Sequence, residues 1–255
     1  MNTFYAKVGS TGDQLARGLG YLGRYALPGL PVLLGLAALP RWRAPLAWAA
    51  LHLAYVAAVG GDGLPAWRFV APVVPVLAVG TGILLQRLPL GPLRGRAAWA
   101  AVPLALWQLA AMGLDPEQRD RVLEGNVGRN GAETGRYLRE LLPPGTLIAT
   151  NTAGSVPYFS GLPAIDMLGL NDAHIAHREM PDMGRRKAGH EKADGAYVLS
   201  RRPEVILFGA ARGRREPFFV SDRELWASPE FHERYALETH RLPSGAKLVL
   251  WRRKG

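Results

Sequence analysis

The segment Ala44–Gly61, APLAWAALHLAYVAAVGG, carries no charged side chain over 18 residues. Continued as one helix at roughly 1.5 Å per residue, it covers about 27 Å, close to the hydrocarbon thickness of a bilayer. Phe69–Gln86 and Ala97–Leu114 are uncharged over the same length, and a shorter stretch, Tyr25–Pro40, extends backward through Leu19–Arg24. None shows the polar face at helical period that a water-exposed bundle needs. Trp48–Ala57, for example, offers polar atoms only at Trp48, His52 and Tyr55. The prolines inside these stretches (Pro28, Pro31, Pro72, Pro75, Pro103) are compatible with membrane helices. The expected fold class is an α-helical membrane region of about four transmembrane helices over residues 1–114, followed by a small extracytoplasmic α/β domain over residues 115–255.

Charge divides the chain at the same place. Residues 1–114 hold two acids, Asp13 and Asp62, and nine bases, whereas 115–255 hold 19 acids and 22 bases. With 48% hydrophobic residues the chain has ample material for a core, which excludes intrinsic disorder. The absence of cysteine excludes a disulfide framework, Cys-ligated zinc, iron–sulfur clusters and a thiol nucleophile. Arg41 and Arg43 lie between the first two stretches, and Arg87, Arg94 and Arg96 between the last two, with no acid in either loop. The positive-inside rule makes these loops cytoplasmic, so the N-terminus, the Asp62–Arg68 loop and residues 115–255 are expected outside. Met1–Gly20 has no signal peptide pattern, and Lys7, Arg17 and Arg24 oppose its translocation. The chain is therefore expected to be the C-terminal part of a longer membrane protein.

The second half alternates strand and helix patterns. Thr146–Thr150, Pro163–Met167 and Glu204–Phe208 are expected as buried strands, with helices over Arg136–Leu142, Ser155–Phe159, Ala193–Arg201 and Ser221–Ala227. Ser221 with Glu224 three positions on reads as a capping box. Asn171–His177 is expected as a capped helical turn, and Pro243-Ser244-Gly245 joins a terminal hairpin of Tyr235–Leu242 and Lys247–Arg252. This order implies a three-layer α/β domain with a partly parallel sheet.

The loop Gly60-Gly61-Asp62-Gly63-Leu64-Pro65-Ala66-Trp67-Arg68 sets an acid and a base beside glycines. It reads either as a turn with a local ion pair or as a site for a phosphate or sugar head group, with Arg68 on phosphate and Asp62 on sugar hydroxyls or on the arginine. His174 and His177 have metal-pair spacing, but no HExxH motif or third ligand accompanies them, so a solvated face is the expectation. Gly189-His190-Glu191-Lys192 reads as a helix-leading cap or a substrate-loop element, and Arg185-Arg186-Lys187 as a solvated basic cluster. Few aromatics accompany the basic residues, which argues against nucleic acid as a partner.

Three segments in order, Asn2-Thr3-Phe4-Tyr5-Ala6-Lys7-Val8-Gly9, Val59-Gly60-Gly61-Asp62 through Arg68-Phe69, Pro72 and Pro75, and Ile165-Asp166-Met167-Leu168-Gly169-Leu170-Asn171-Asp172 with Gly189-His190-Glu191-Lys192, resemble the C-terminal half of bacterial GT-C-type membrane glycosyltransferases. The nearest named group is the terminal arabinofuranosyltransferase-like proteins of mycobacterial cell-wall assembly. The resemblance implies a multi-pass protein of the bacterial inner (cytoplasmic) membrane. It implies a polyprenyl-phosphate sugar donor, a cell-envelope glycan or lipid acceptor, and contact with membrane lipid. Carried onto this chain, it implies that Lys7 and Arg68 bind the donor phosphate, Tyr5 stacks on a sugar or lipid head, and Asp62 positions Arg68 or the sugar. Asp166, Asn171 and Asp172, with His190 and Lys192, would shape the acceptor groove. The paired aspartates of the family's first outward loop are missing from this sequence, so the general base that inverting transfer needs is not expected in this chain. No cofactor is implied, and a divalent cation is left open. The alternative is a non-catalytic membrane protein whose outer α/β domain binds a glycan or a partner protein.

Overall fold

The computed structural model describes residues 2–7, 9, 12–26, 39–63, 68–87 and 127–255. The chain divides into two compact units, Met1–Val8 with Asn126–Gly255 and Gly9–Gly125.

The larger unit is built on a five-stranded mixed sheet of order β2-β1-β3-β5-β4. Its strands are β1 Ile148–Thr150, β2 Ala164–Asp166, β3 Val205–Leu207, β4 Tyr235–Arg241 and β5 Lys247–Arg253. β1 is parallel to both β2 and β3, with Ala149 opposite Ile165 and Ile206. β5 runs antiparallel to β3, pairing Trp251 with Ile206, and antiparallel to β4. All three residues of β1 and of β3 are buried, as a sheet covered on both faces requires. Alternation along the strands then sorts the core into two layers. Ala149, Ile165, Ile206 and Trp251 pack with Val198, Leu225 and Phe231 on one face. Ile148, Val205, Leu207, Leu248 and Leu250 pack with Leu138, Leu142 and Val156 on the other.

The helices that supply these layers follow from local sequence. Numbered along the whole chain, α1 is Asn2–Lys7, α2 Gly12–Ala26, α3 Arg43–Ala58, α4 Val74–Arg87, α5 Val127–Leu141, α6 Ser155–Ser160, α7 Ala173–His177, α8 Gly195–Ser200, α9 Val220–Trp226 and α10 Pro229–Arg234. Asp172 caps α7 through the Ile175 N–H, and Asp194 caps α8 through the Tyr197 N–H. Gly131 and Gly135, one turn apart on α5, let α6 approach closely. A Cβ on Gly135 would lie 2.7 Å from the Val156 carbonyl oxygen, and one on Gly131 would overlap Ser155 Oγ.

In the smaller unit α2 packs on α3, and Ala49, Val73 and Leu77 form a small core. Here the expected transmembrane region is corrected. No helix among the described residues is long and apolar enough to cross a membrane. The stretch from Ala44 ends as a helix at Ala58, giving 16 residues, because Gly60 and Gly61 follow with φ of 77° and 75°. Phe69–Gln86 loses its first turn to a 3-10 segment, Ala71–Val73, around Pro72, which leaves 14 residues in α4. At roughly 1.5 Å per residue the two helices span about 24 and 21 Å, short of a hydrocarbon core of about 30 Å. The stretch Ala97–Leu114 and all of Tyr25–Pro40 but its ends lie outside the described residues. The observed class is a mixed five-stranded sheet covered by helices in the larger unit, with helices in the described part of the smaller one.

Candidate functional site

In a parallel sheet, chains leave the carboxyl ends of neighbouring strands in opposite directions at the point where strand order reverses, which opens a crevice there. In this sheet that point lies between β1, whose exit leads toward β2, and β3, whose exit leads toward β4 and β5. Asn151 follows β1 directly and is buried. Its Nδ2 donates to Asp222 Oδ1 at 2.7 Å, and its Oδ1 accepts from Ser221 Oγ at 2.7 Å. Asp222 Oδ2 accepts the backbone N–H groups of Gly209, Phe218 and Phe219. Burial pushes the Asp222 carboxyl up from its ordinary value, opposed by those donors. Every oxygen of the pair is thus engaged in holding the β3 exit loop to β1.

Asp166 does the same for the β2 exit. It is 4% exposed, and its oxygens accept from the Leu168 N–H at 3.0 Å and the Asn171 N–H at 2.7 Å. Burial raises its carboxyl, again against the pull of these donors. The turn so fixed leaves Asn171 exposed, with its Nδ2 on the Ala153 carbonyl. Asp172 then follows, bonded to the Tyr197 hydroxyl through its second oxygen at 3.2 Å. Tyr197 stacks on His174 with ring centroids 4.1 Å apart, and His174 Nε2 meets Asp194 Oδ2 at 2.9 Å. Burial raises the Asp194 carboxyl, but the Tyr197 N–H, His174 and Arg178 outweigh it and hold it below the usual range.

One turn further along α7, His177 lies against Tyr5 of α1, with centroids 4.1 Å apart. Lys7 runs along Gly189, where a Cβ would touch its Cε at 3.4 Å. The structure therefore brings Tyr5 and Lys7 to the same unit as Asp166, Asn171, Asp172, His190 and Lys192. Within the Gly189–Lys192 segment the side chains are committed to the fold. The His190 ring stacks on Phe219 at 4.9 Å. Glu191 Oε1 accepts from the Gly184 and Arg186 N–H groups. The Lys192 ammonium donates to the Arg178 carbonyl, and burial lowers its pKa, partly offset by Glu179.

Asp62 and Arg68 belong to the other unit. Arg68 Nε and Nη2 donate to the two oxygens of Asp62 at 2.5 and 3.3 Å, and the guanidinium lies over the Phe69 ring. That geometry is the local ion pair that one of the two readings of this loop expects. The described residues include no group of three or more His, Asp or Glu side chains placed to hold a metal ion.

Sequence reasoning did not single out Asn151, Asp194, Tyr197 or Asp222. Asp194 had a visible signal, an acid immediately before a helix. The others had none, because their partners come from distant elements.

The class these observations define is an α/β domain with a mixed sheet and polar groups gathered at the carboxyl edge of its parallel strands. The chain belongs to the family described as Domain of unknown function (DUF8728), whose model matches residues 119–251. No curated protein and no solved structure matches the chain. The family description carries no activity, so it lends no support to the glycosyltransferase assignment, and the expected transmembrane helices are corrected by the helix lengths of the described residues.

Proposed function

We propose that the α/β unit is a binding module for a neutral, polyhydroxylated ligand, an oligosaccharide in the reading taken over from the resemblance. One observation carries it. Two imidazoles one helical turn apart on α7, His174 and His177, each have a tyrosine ring against them, and Asp172 and Asp194 are hydrogen-bonded into the same group. Sugar rings present apolar C–H faces and rims of hydroxyls. Flat rings cover the first, and carboxylates and amides such as Asn171 accept and donate to the second. Asp166, Glu191 and Lys192 support this surface from beneath, since their polar atoms bond to backbone. The reading includes no chemical step and no membrane-spanning part.

The test is a printed array of pentose- and hexose-containing oligosaccharides probed with the full chain. The expected result is retention on a defined subset, reduced at least tenfold by His174→Ala and by Asn171→Ala, with circular dichroism unchanged. An array with no retained glycan, for a folded wild-type chain, would overturn the proposal.

A further inference from the structure

The amino edge of the sheet carries the one non-glycine residue among the described ones with positive φ. Arg202, at φ 49°, follows the last turn of α8, and its N–H donates to the Leu199 carbonyl. This is the left-handed position just past a helix where glycine is preferred, because a Cβ is crowded there. A helix C-terminus favours a nearby cation but does not require that conformation. Arg201, the preceding residue, already places a guanidinium at the same helix end, over Tyr197.

Strain kept at a non-glycine residue points to a use for its side chain. Arg202 borders three surface clefts, of about 630, 390 and 290 Å³. The smallest is lined by Arg202, Arg234, Arg253 and Lys254, together with Leu199 and Tyr235, and by no acid. Two of these cations are matched by carboxylates that lie outside the lining, Arg253 by Glu204 at 3.0 Å and Arg234 by Glu230 at 2.7 Å. The Lys254 ammonium rests on the His232 carbonyl, which leaves its charge uncompensated. Among the described residues Arg202 has no carboxylate partner. The cleft therefore has a surplus of positive charge and several N–H donors converging from the end of α8, the end of α10 and the last residues of β5 and beyond.

We propose that this cleft binds a phosphate-class dianion, a phosphate or diphosphate ester, with Arg202 as its principal donor. Guanidinium groups suit phosphate because their N–H pairs match two of its oxygens. A phosphate ester in solution and a phosphate lipid head group share this chemistry of recognition.

The experiment uses the full chain and inorganic pyrophosphate, read by calorimetric titration at low ionic strength. A parallel arm measures co-sedimentation with vesicles containing phosphatidic acid. Arg202→Gly is the key variant, because it removes the guanidinium and the backbone strain together. The expected result is pyrophosphate binding by the wild type, weakened at least tenfold by Arg202→Gly and by Arg253→Ala, while the melting temperature of Arg202→Gly rises by about 4 °C. Vesicle association that is lost in the same variants also supports the site and assigns the lipid source. Equal affinity of wild type and Arg202→Gly, or absence of binding in both arms, would overturn it, as would a fall in melting temperature, which makes Arg202 a fold residue. Glycan retention on the array is independent of all these outcomes.

Discussion

Asn151 and Asp222, 71 residues apart in the chain, meet through a 2.7 Å hydrogen bond between Nδ2 and Oδ1. The bond joins the first residue after β1 to the first turn of α9, at the place where the strand order reverses. Because Asp222 also accepts three backbone N–H groups, this contact fixes two loops relative to each other, and it holds the backbone of Phe219, whose ring stacks on His190.

Asp222→Ala should leave the N–H groups of Gly209, Phe218 and Phe219 buried without an acceptor. A loss of about 3–5 kcal/mol is expected, against about 1–3 kcal/mol for Asn151→Ala, where one acceptor and one donor are left behind. Urea unfolding of the two variants compares them. Equal losses, or a loss under about 1 kcal/mol at Asp222, would show that the loop finds other partners.

Gly135→Ala should cost about 1–3 kcal/mol, because the added methyl meets the backbone of α6 rather than a flexible side chain. The same change at Gly145, in an open turn where nothing lies within 4 Å but φ is +83°, separates close approach from backbone conformation. If α6 can move away, near-ultraviolet circular dichroism of the Gly135 variant should change with little loss of stability, and the packing account would then be wrong.

Tyr235 provides a pH test. Its hydroxyl donates to the Pro203 carbonyl at 2.8 Å. Burial pushes the phenol from 10.0 up to about 12, with Arg253 opposing. The folded state therefore keeps its proton where the unfolded chain has lost it. The associated stability is complete below pH 10 and disappears as pH rises toward 12. Tyr235→Phe should be less stable than wild type by about 1 kcal/mol at neutral pH. That gap should close between pH 10 and 12, measured by chemical denaturation across the range. A gap that stays constant would mean the phenol titrates normally.

Much of the larger unit was legible in the sequence for a local reason. Ile148–Thr150 and Val205–Leu207 are apolar, β-branched runs bounded by breakers, and Pro243-Ser244-Gly245 separates two strand patterns. Local reading fails where a side chain answers to a distant element. The cap of α9 was assigned to Ser221 with Glu224, yet Asp222 reaches back to the Phe219 N–H while Ser221 bonds Asn151 and Glu224 bonds Arg178. Helix α10 was overlooked although Pro229 follows Ser228, a start signal. In the first half, uncharged length overstates helix length. Gly60, Gly61, Pro72 and Pro75 carried the contrary information, and glycine conformation and proline geometry set the helix ends. At the site, the Asp166–Asp172 turn was visible, but the tyrosine–histidine pairs were not, because α1, α7 and α8 meet only in three dimensions.

The order of the sheet has a bearing on how the chain is made. β5, the last of the five strands in chain order, pairs with β3 in the interior of the sheet, and Trp251 completes the aromatic cluster of Phe208, Trp226 and Phe231. Until residues 247–253 emerge from the ribosome, Val205–Leu207 has an open hydrogen-bonding edge and an unfilled hollow beside it. A chain that has not yet delivered β5 is thus a substrate for chaperones and for strand-to-strand association, and the docking of β5 is the event that seals the domain.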